Sequence, residues 1–336
     1  MSSSGIGERN KTLLIVEGNH EKNKFFSTLF WCFHEFNIRM ENVWIYGTNI
    51  YQLYDDIVKE YGVDWFENHD DIDLPFVVSK KKKMREVEYK TNYTNIIIVF
   101  DYERHDPAFS EKKIKELQET FDDPADMGKL YINYPMMEAA YHLTMVPDEE
   151  YIYRSYSVAK SGSDYKGLVR KESCVRWDFE LPGKLADILA ENYLENNDLL
   201  RNECCNKLLD LPDESINAEM IKSVLLEYME GANDTLAYQL TDWLKKSNHF
   251  GKGLGYRSYM RRLFQKIAIY NIDKAYYIQT GKIEVGNEKC VERFNLLDSL
   301  KTLQKQNEFS REKGLVWVLS TAVFFIPDYN TKLLTE

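Results

Sequence analysis

Residues 96–106 read IIIVFDYERHD, a run of apolar residues that delivers Asp101, Glu103 and Asp106 within six positions. The apolar part is too short for a typical helix and too uniform for a half-exposed strand, so it reads as a strand buried on both faces. The same grammar appears at 13–18, LLIVEG, where an apolar run ends in Glu17 and Gly18 and a helical pattern follows within a few residues. In open α/β sheets ligands gather at the carboxyl ends of strands. If these two strands are neighbours, Glu17, Asp101 and Glu103 converge. Crowded carboxylates repel and raise one another's pKa values unless a cation neutralises them. The oxygen-only donor set points to Mg²⁺ or Mn²⁺. Against this stands the simpler reading that strand-end acids cap a helix or sit solvated in a turn. For Asp106, which precedes Pro107, turn chemistry is the leading reading. Glu21, His105, Asp106 and Glu138 are the candidates to stand behind the three ligands.

Working outward, apolar residues at Phe25, Phe26, Leu29, Phe30 and Phe33 predict a helix over 20–38. A strand over 43–46 follows, then a helix carrying Leu53, Tyr54, Ile57, Val58 and Tyr61 that ends at Gly62. The polar, irregular segment 64–95 reads as an insertion. After the strand at 96–100, a helix begins at a Ser110 cap and runs to 121, and a strand over 130–133 leads through Pro135 into a helix reaching His142. This alternation predicts a mainly parallel sheet flanked by helices over residues 1–150. Residues 151–336 read as a mostly α-helical domain after the loop SYSVAKSGSDYKG, with helices over 183–209, 215–230, 234–247, 256–270 and 286–308. The apolar run 316–329, VWVLSTAVFFIPDY, fits a buried helix or a strand equally.

At 336 residues and 44% apolar content the chain can bury a sizeable core, most simply as two domains. No run reaches the 18 or more apolar residues of a membrane span, and MSSSGIGERNK lacks a signal peptide's apolar core, so a cytoplasmic protein without membrane attachment is expected. The five cysteines are odd in number and show no CxxC spacing, which argues against a disulfide framework or a zinc site. Of the net charge of −11, all the excess falls in residues 1–150, which hold 17 Lys and Arg against 28 Asp and Glu; the remainder holds 26 of each. Such a surface repels phosphate backbones. A polyanionic substrate would therefore enter through a local basic patch or a partner.

Two patches qualify. Lys80, Lys81, Lys82, Lys83 and Arg85 form one basic run, which could instead balance the adjacent NHDDID. Lys252, Arg257, Arg261 and Arg262 form another around GKGLGYR, where a solvated helix face is the plainer reading. GKGLGYR follows a helical segment rather than a strand, so it is no dinucleotide fingerprint, and no GxxxxGK[ST] loop is present. Glu138 and His142 stand four apart on an expected helix, a spacing open to a shared metal or to two satisfied buried groups. The 23 tyrosines and 17 phenylalanines could stack on bases, although most lie at core spacing.

The order LLIVEG, helix, strand, helix, IIIVFDYE resembles the TOPRIM (topoisomerase-primase) domain over roughly 11–145. The segment NYPMMEAAYHL is similar to TOPRIM proteins of the overcoming-lysogenization-defect type and related phage-defence proteins. The resemblance implies a TOPRIM-like catalytic domain in which Glu17 matches the acid/base glutamate and Asp101 and Glu103 match the DxD metal carboxylates. Glu103 stands where that family has Asp, a longer side chain that still offers a carboxylate. The activity so implied is a Mg²⁺- or Mn²⁺-dependent endonuclease acting on DNA or RNA in antiviral defence, with a separate ATPase as partner. The helical half would bind substrate, a partner or a second copy of the chain. The alternatives are a non-catalytic sensor or regulatory subunit with this fold, recognising a partner ATPase or a viral protein, and a housekeeping RNA-processing enzyme.

Overall fold

The computed structural model describes residues 11–191 and 197–335. Its centre is a mixed, mostly parallel sheet built from β1 (Thr12–Val16), β2 (Val43–Ile45), β3 (Asn95–Asp101), β4 (Asp122–Asp123) and β5 (Gly128–Tyr134) in the order β2-β1-β3-β5-β4. β1 pairs in parallel with β2 and with β3, and β3 in parallel with β5. The short β4 turns back antiparallel on β5. Leu13 to Val16 and Ile96 to Phe100 are almost fully buried, as a strand covered on both faces requires. The α/β class and the parallel core therefore match the expectation.

Helices flank this sheet. Between β1 and β2 a single π-helical stretch, Glu21–Phe26, runs into α1 (Ser27–Cys32), and the expected helix over 20–38 stops there. Asn37 takes a left-handed conformation, and Phe33 and Phe36 stack with centroids 5.4 Å apart. α2 (Ile50–Tyr61) is capped by Asn49, whose side chain accepts from the Gln52 N–H. The segment 64–95 is more ordered than its polarity suggests, because it contains a 3₁₀ stretch and α3 (Leu74–Lys81) with Trp65, Ile72, Leu74 and Val78 in the core. Asp73 explains this order: its carboxylate accepts the N–H of Phe76, capping α3, and also the N–H of Lys90. α4 (Glu111–Thr120) starts at Ser110, which accepts from the Lys113 N–H at 3.3 Å, as expected.

The second half of the chain is mostly helical, with α5 (Ser163–Glu172), α6 (Arg176–Leu189), α7 (Asp198–Leu209), α8 (Ala218–Leu226), α9 (Asp234–Lys246), α10 (Tyr256–Thr280), α11 (Cys290–Asn295) and α12 (Ser299–Lys313). The expected helix over 183–209 is two helices, and residues 192–196 within it lie outside the described residues. The ambiguous run 316–329 divides. β6 (Ser155–Ser157) pairs with β7 (Leu315–Trp317), β8 (Leu319–Ser320) joins the edge of β5, and α13 (Phe325–Tyr329) ends the run. The two halves share one apolar core, in which Phe264 of α10 packs on Phe25, Phe33 and Phe179 and Phe325 packs on Phe30 and Phe36. No described helix is long and apolar enough to cross a membrane.

Candidate functional site

The chain passes from β1 to β2 on one side and returns past β1 to β3 before moving on to β5. The carboxyl ends of β1 and β3 thus flank the point where strand order reverses, the place where open α/β sheets bind ligands. Glu17 and Asp101 sit there. The Asp101 N–H donates to Glu17 Oε2 at 3.1 Å, and the Asn133 amide, directly across from Asp101 on β5, donates to Asp101 Oδ1 at 3.3 Å. Asn133 is itself completely buried and accepts from the Ser320 hydroxyl at 2.7 Å, so the strand contributed by the second half holds the group that holds Asp101.

Glu103 lies just past the end of β3 in a left-handed conformation (φ 38°), where the chain turns out of the sheet. Burial is the first cause of the raised pKa values of Glu17, Asp101 and Glu103, and mutual repulsion adds to it: Glu103 and Glu21 act on Glu17, and Glu17, Glu21 and Glu138 on Asp101. Glu21 is buried and accepts the Gly18 N–H at 2.9 Å, and a Cβ at Gly18 would meet its carboxylate at 3.0 Å. Glu138 is buried with Oε2 unpartnered, its proton affinity raised by that burial.

A cation closes the cluster. Lys166 of α5 approaches Glu138 Oε1 at 3.8 Å. Burial pulls its pKa down, but Glu138, Asp101, Glu21 and Glu17 outweigh that and raise it. His20 lies 4.0 Å from Glu138, bonds Tyr141 and is held neutral, its pKa pushed down to about 4 by burial and by Lys24, Lys166 and Arg170. Lys166, Asn133 and His20 are the site residues that sequence reasoning missed. Lys166 sat in a stretch read as a loop, while Asn133 is the first residue of the quoted segment NYPMMEAAYHL, where no role was assigned to it.

The remaining expected positions divide. Asp106 is a turn residue: it accepts the Ala108 N–H at 2.7 Å and the Asn49 amide at 2.9 Å. His105 is exposed, and its proximity lowers the pKa of Glu103. Glu138 and His142 do not share a site, because residues Met137–Tyr141 form a 3₁₀ stretch whose tighter winding turns i and i+4 apart. His142 bonds Tyr165 and Glu172 instead. In the first basic run Lys80 pairs with Glu60, Lys81 with Asp56 while lying 3.5 Å over the Tyr46 ring, and Lys82 donates to the Ile45 carbonyl; Lys83 and Arg85 are exposed. That run borders the site, since the N–H groups of Tyr46 and Gly47 donate to the carbonyls of Val16 and Glu17. In the second, Arg261 is paired with Glu35 and Arg257 with Asp210, each stacked on an aromatic ring, whereas Lys252 is exposed.

Among the described residues no group of three or more His, Cys, Asp or Glu side chains is gathered into a metal-ligand set. The donor chemistry still suits a hard cation. The carboxylates are buried, they repel one another, and Glu138 Oε2 has no partner. Comparisons with family models, curated proteins and solved structures found no match to this chain.

Proposed function

We propose that the acidic cluster is the site of a divalent-metal-dependent nuclease that hydrolyses phosphodiesters of DNA or RNA. The observation that most supports this is the arrival of Glu17 and Asp101, buried and mutually repelling, at adjacent strand ends beside the reversal of strand order. Glu17, Asp101 and Glu103 would hold Mg²⁺ or Mn²⁺, which when bound polarises a phosphoryl oxygen and lowers the pKa of water. Glu17, with its raised pKa, holds or releases a proton nearer neutrality than an ordinary carboxylate and so suits general acid-base work. Asn133 fixes the Asp101 carboxylate through Oδ1. Lys166, half-exposed at the edge of the cluster, presents an ammonium to a phosphate that enters from solvent. The setting in phage defence, with an ATPase partner or a second copy of the chain, rests on the sequence resemblance. The test is cleavage of labelled DNA and RNA with and without Mn²⁺ by the full chain, Glu17→Gln and Asp101→Asn. Loss of cleavage in both variants is expected, and equal cleavage by all three would refute the assignment.

Two observations favour a second reading, a non-catalytic sensor or regulatory subunit. Lys166 already supplies a countercharge, and the carboxylates are not drawn into a ligand set. No heat of Mn²⁺ binding in calorimetry, together with tight association with an ATPase or viral protein, would select it.

A further inference from the structure

A cleft lies away from the acidic cluster, between the chain that follows Tyr141, the residues just before α6 and the first turns of α10. It encloses about 570 Å³. One rim carries Lys252, Arg262 and Lys266, all exposed, and none has an ion-pair partner among the described residues. They differ from their neighbours Arg257 and Arg261, whose charges Asp210 and Glu35 offset. Arg262 and Lys266 stand one helical turn apart on α10, with roughly 5–6 Å between their Cβ atoms. In a chain of net charge −11 these three cations stand without a facing carboxylate in ion-pair range among the described residues.

The rest of the lining is apolar: Met145 and Val146 on the outer lip, with Leu254, Leu263 and the Tyr259 ring inside. Its polar groups are already committed. The Thr144 hydroxyl donates to Asp148, the Asn248 amide donates to the Cys174 carbonyl and to Asp178, and the Tyr259 hydroxyl donates to Asp178. An acidic peptide laid here would find the lining's Thr144, Asn248 and Tyr259 side-chain donors already engaged, and burying its backbone N–H groups unpaired is costly. A nucleobase needs only an apolar or aromatic face, and its phosphate needs cations. The cleft also has the size of small-molecule and nucleotide sites.

We infer that this cleft binds a nucleoside phosphate, either as a unit of single-stranded nucleic acid or as a free nucleotide, its phosphates on Lys252, Arg262 and Lys266 and its base against Tyr259 and the Met145–Val146 lip. Two walls lead from it to the acidic cluster. Thr144 lies six residues after Glu138, and Cys174 lies eight after Lys166, along α5 for most of that length and so ~12 Å away at helical rise. A strand held in the cleft is thus within reach of the carboxylates. This last step rests on the nuclease reading; binding in the cleft does not.

The experiment measures anisotropy of a fluorescein-labelled decathymidylate with the full chain in EDTA, across a salt series. AMP, inorganic phosphate and polyglutamate serve as competitors. Each phosphate contact to a single strand contributes a slope of about 0.7 in log K against log salt. Arg262→Gln with Lys266→Gln is expected to lose about tenfold or more in affinity and about 1.4 in slope. Lys252→Gln, in a connecting loop, tests the same idea at one contact and should lose about 0.7. Arg262→Lys with Lys266→Arg should bind as the parent does. Displacement by AMP at concentrations that match the oligonucleotide would identify a free-nucleotide site; affinity that grows with oligonucleotide length would identify a strand. Unchanged affinity and slope in both Gln variants would overturn the inference, as would displacement by phosphate or polyglutamate as efficient as by AMP. A chain that cleaves nothing yet binds through these residues keeps the inference and removes the nuclease, while one that cleaves but binds without them does the reverse.

Discussion

Asp101→Asn is expected to stabilise the protein in the absence of divalent ions and to abolish the stabilisation those ions confer. The folded state holds the protons of Glu17 and Asp101 more tightly than an unfolded chain does, first because of burial and then because of neighbouring carboxylates. Stability from these groups is therefore fully present below the ordinary carboxylate pKa of about 4 and is lost as pH rises through the raised folded values. Asn removes one charge while leaving an oxygen for the Asn133 amide. Each pKa unit of upward shift that is removed returns about 1.4 kcal/mol. With about 2.1 cal/mol/K per residue of unfolding entropy, 336 residues give about 0.7 kcal/mol/K, so each such unit raises Tm by about 2 °C. Mn²⁺ at a hundredfold excess over its Kd should stabilise the parent chain by about 2.7 kcal/mol, or about 4 °C. Differential scanning calorimetry at pH 5, 6, 7 and 8, with EDTA and with Mn²⁺, reads both effects. A parent chain whose metal-free Tm is flat across this range, or an Asn variant that gains as much from Mn²⁺ as the parent, would refute the reasoning.

Lys166→Met should move the acidic limb of any cleavage profile to higher pH, because Lys166 lowers the pKa values of Glu17, Glu103 and Glu138; rate measurements from pH 5 to 9 check this. Asn133→Ala leaves Asp101 and Ser320 without their buried partner and should cost about 1–3 kcal/mol, read as a fall in denaturation midpoint. Gly128→Ala places a Cβ 3.2 Å from Ile96 and Ile98 at a φ of 116°, which L side chains avoid, and should cost about 1–3 kcal/mol in the same assay. Ser110→Ala should cost about 1 kcal/mol through loss of the α4 cap.

The strands carrying Glu17 and Asp101 were legible because only a strand covered on both faces tolerates four or five consecutive apolar residues ending abruptly in acid. Ser110 was legible because a cap acts over three residues. What escaped notice depends on distance in the chain or on winding. Asp73 orders the polar segment 64–95 by accepting from both Phe76 and Lys90, and no local pattern encodes the second bond. Glu138 and His142 carry helical spacing, yet the backbone there winds as 3₁₀. Lys166 reaches the cluster from a helix whose relation to β1 and β3 is purely tertiary. The run 316–329 is apolar enough for either secondary structure, and its outcome was decided by the free edge of β5 and the partner strand β6.

The bond from Ser320 to Asn133 spans 187 residues. At translation rates of about 5–20 residues per second, the anchor of Asp101 waits roughly 10–40 s after Asn133 is made before Ser320 is even synthesised. Throughout that interval the edge of β5 that β8 will occupy is bare, in the way that invites foreign strands to pair. A ribosome-bound chain thus carries the carboxylates long before it carries their support, and its sheet edge stands open while it is still being made.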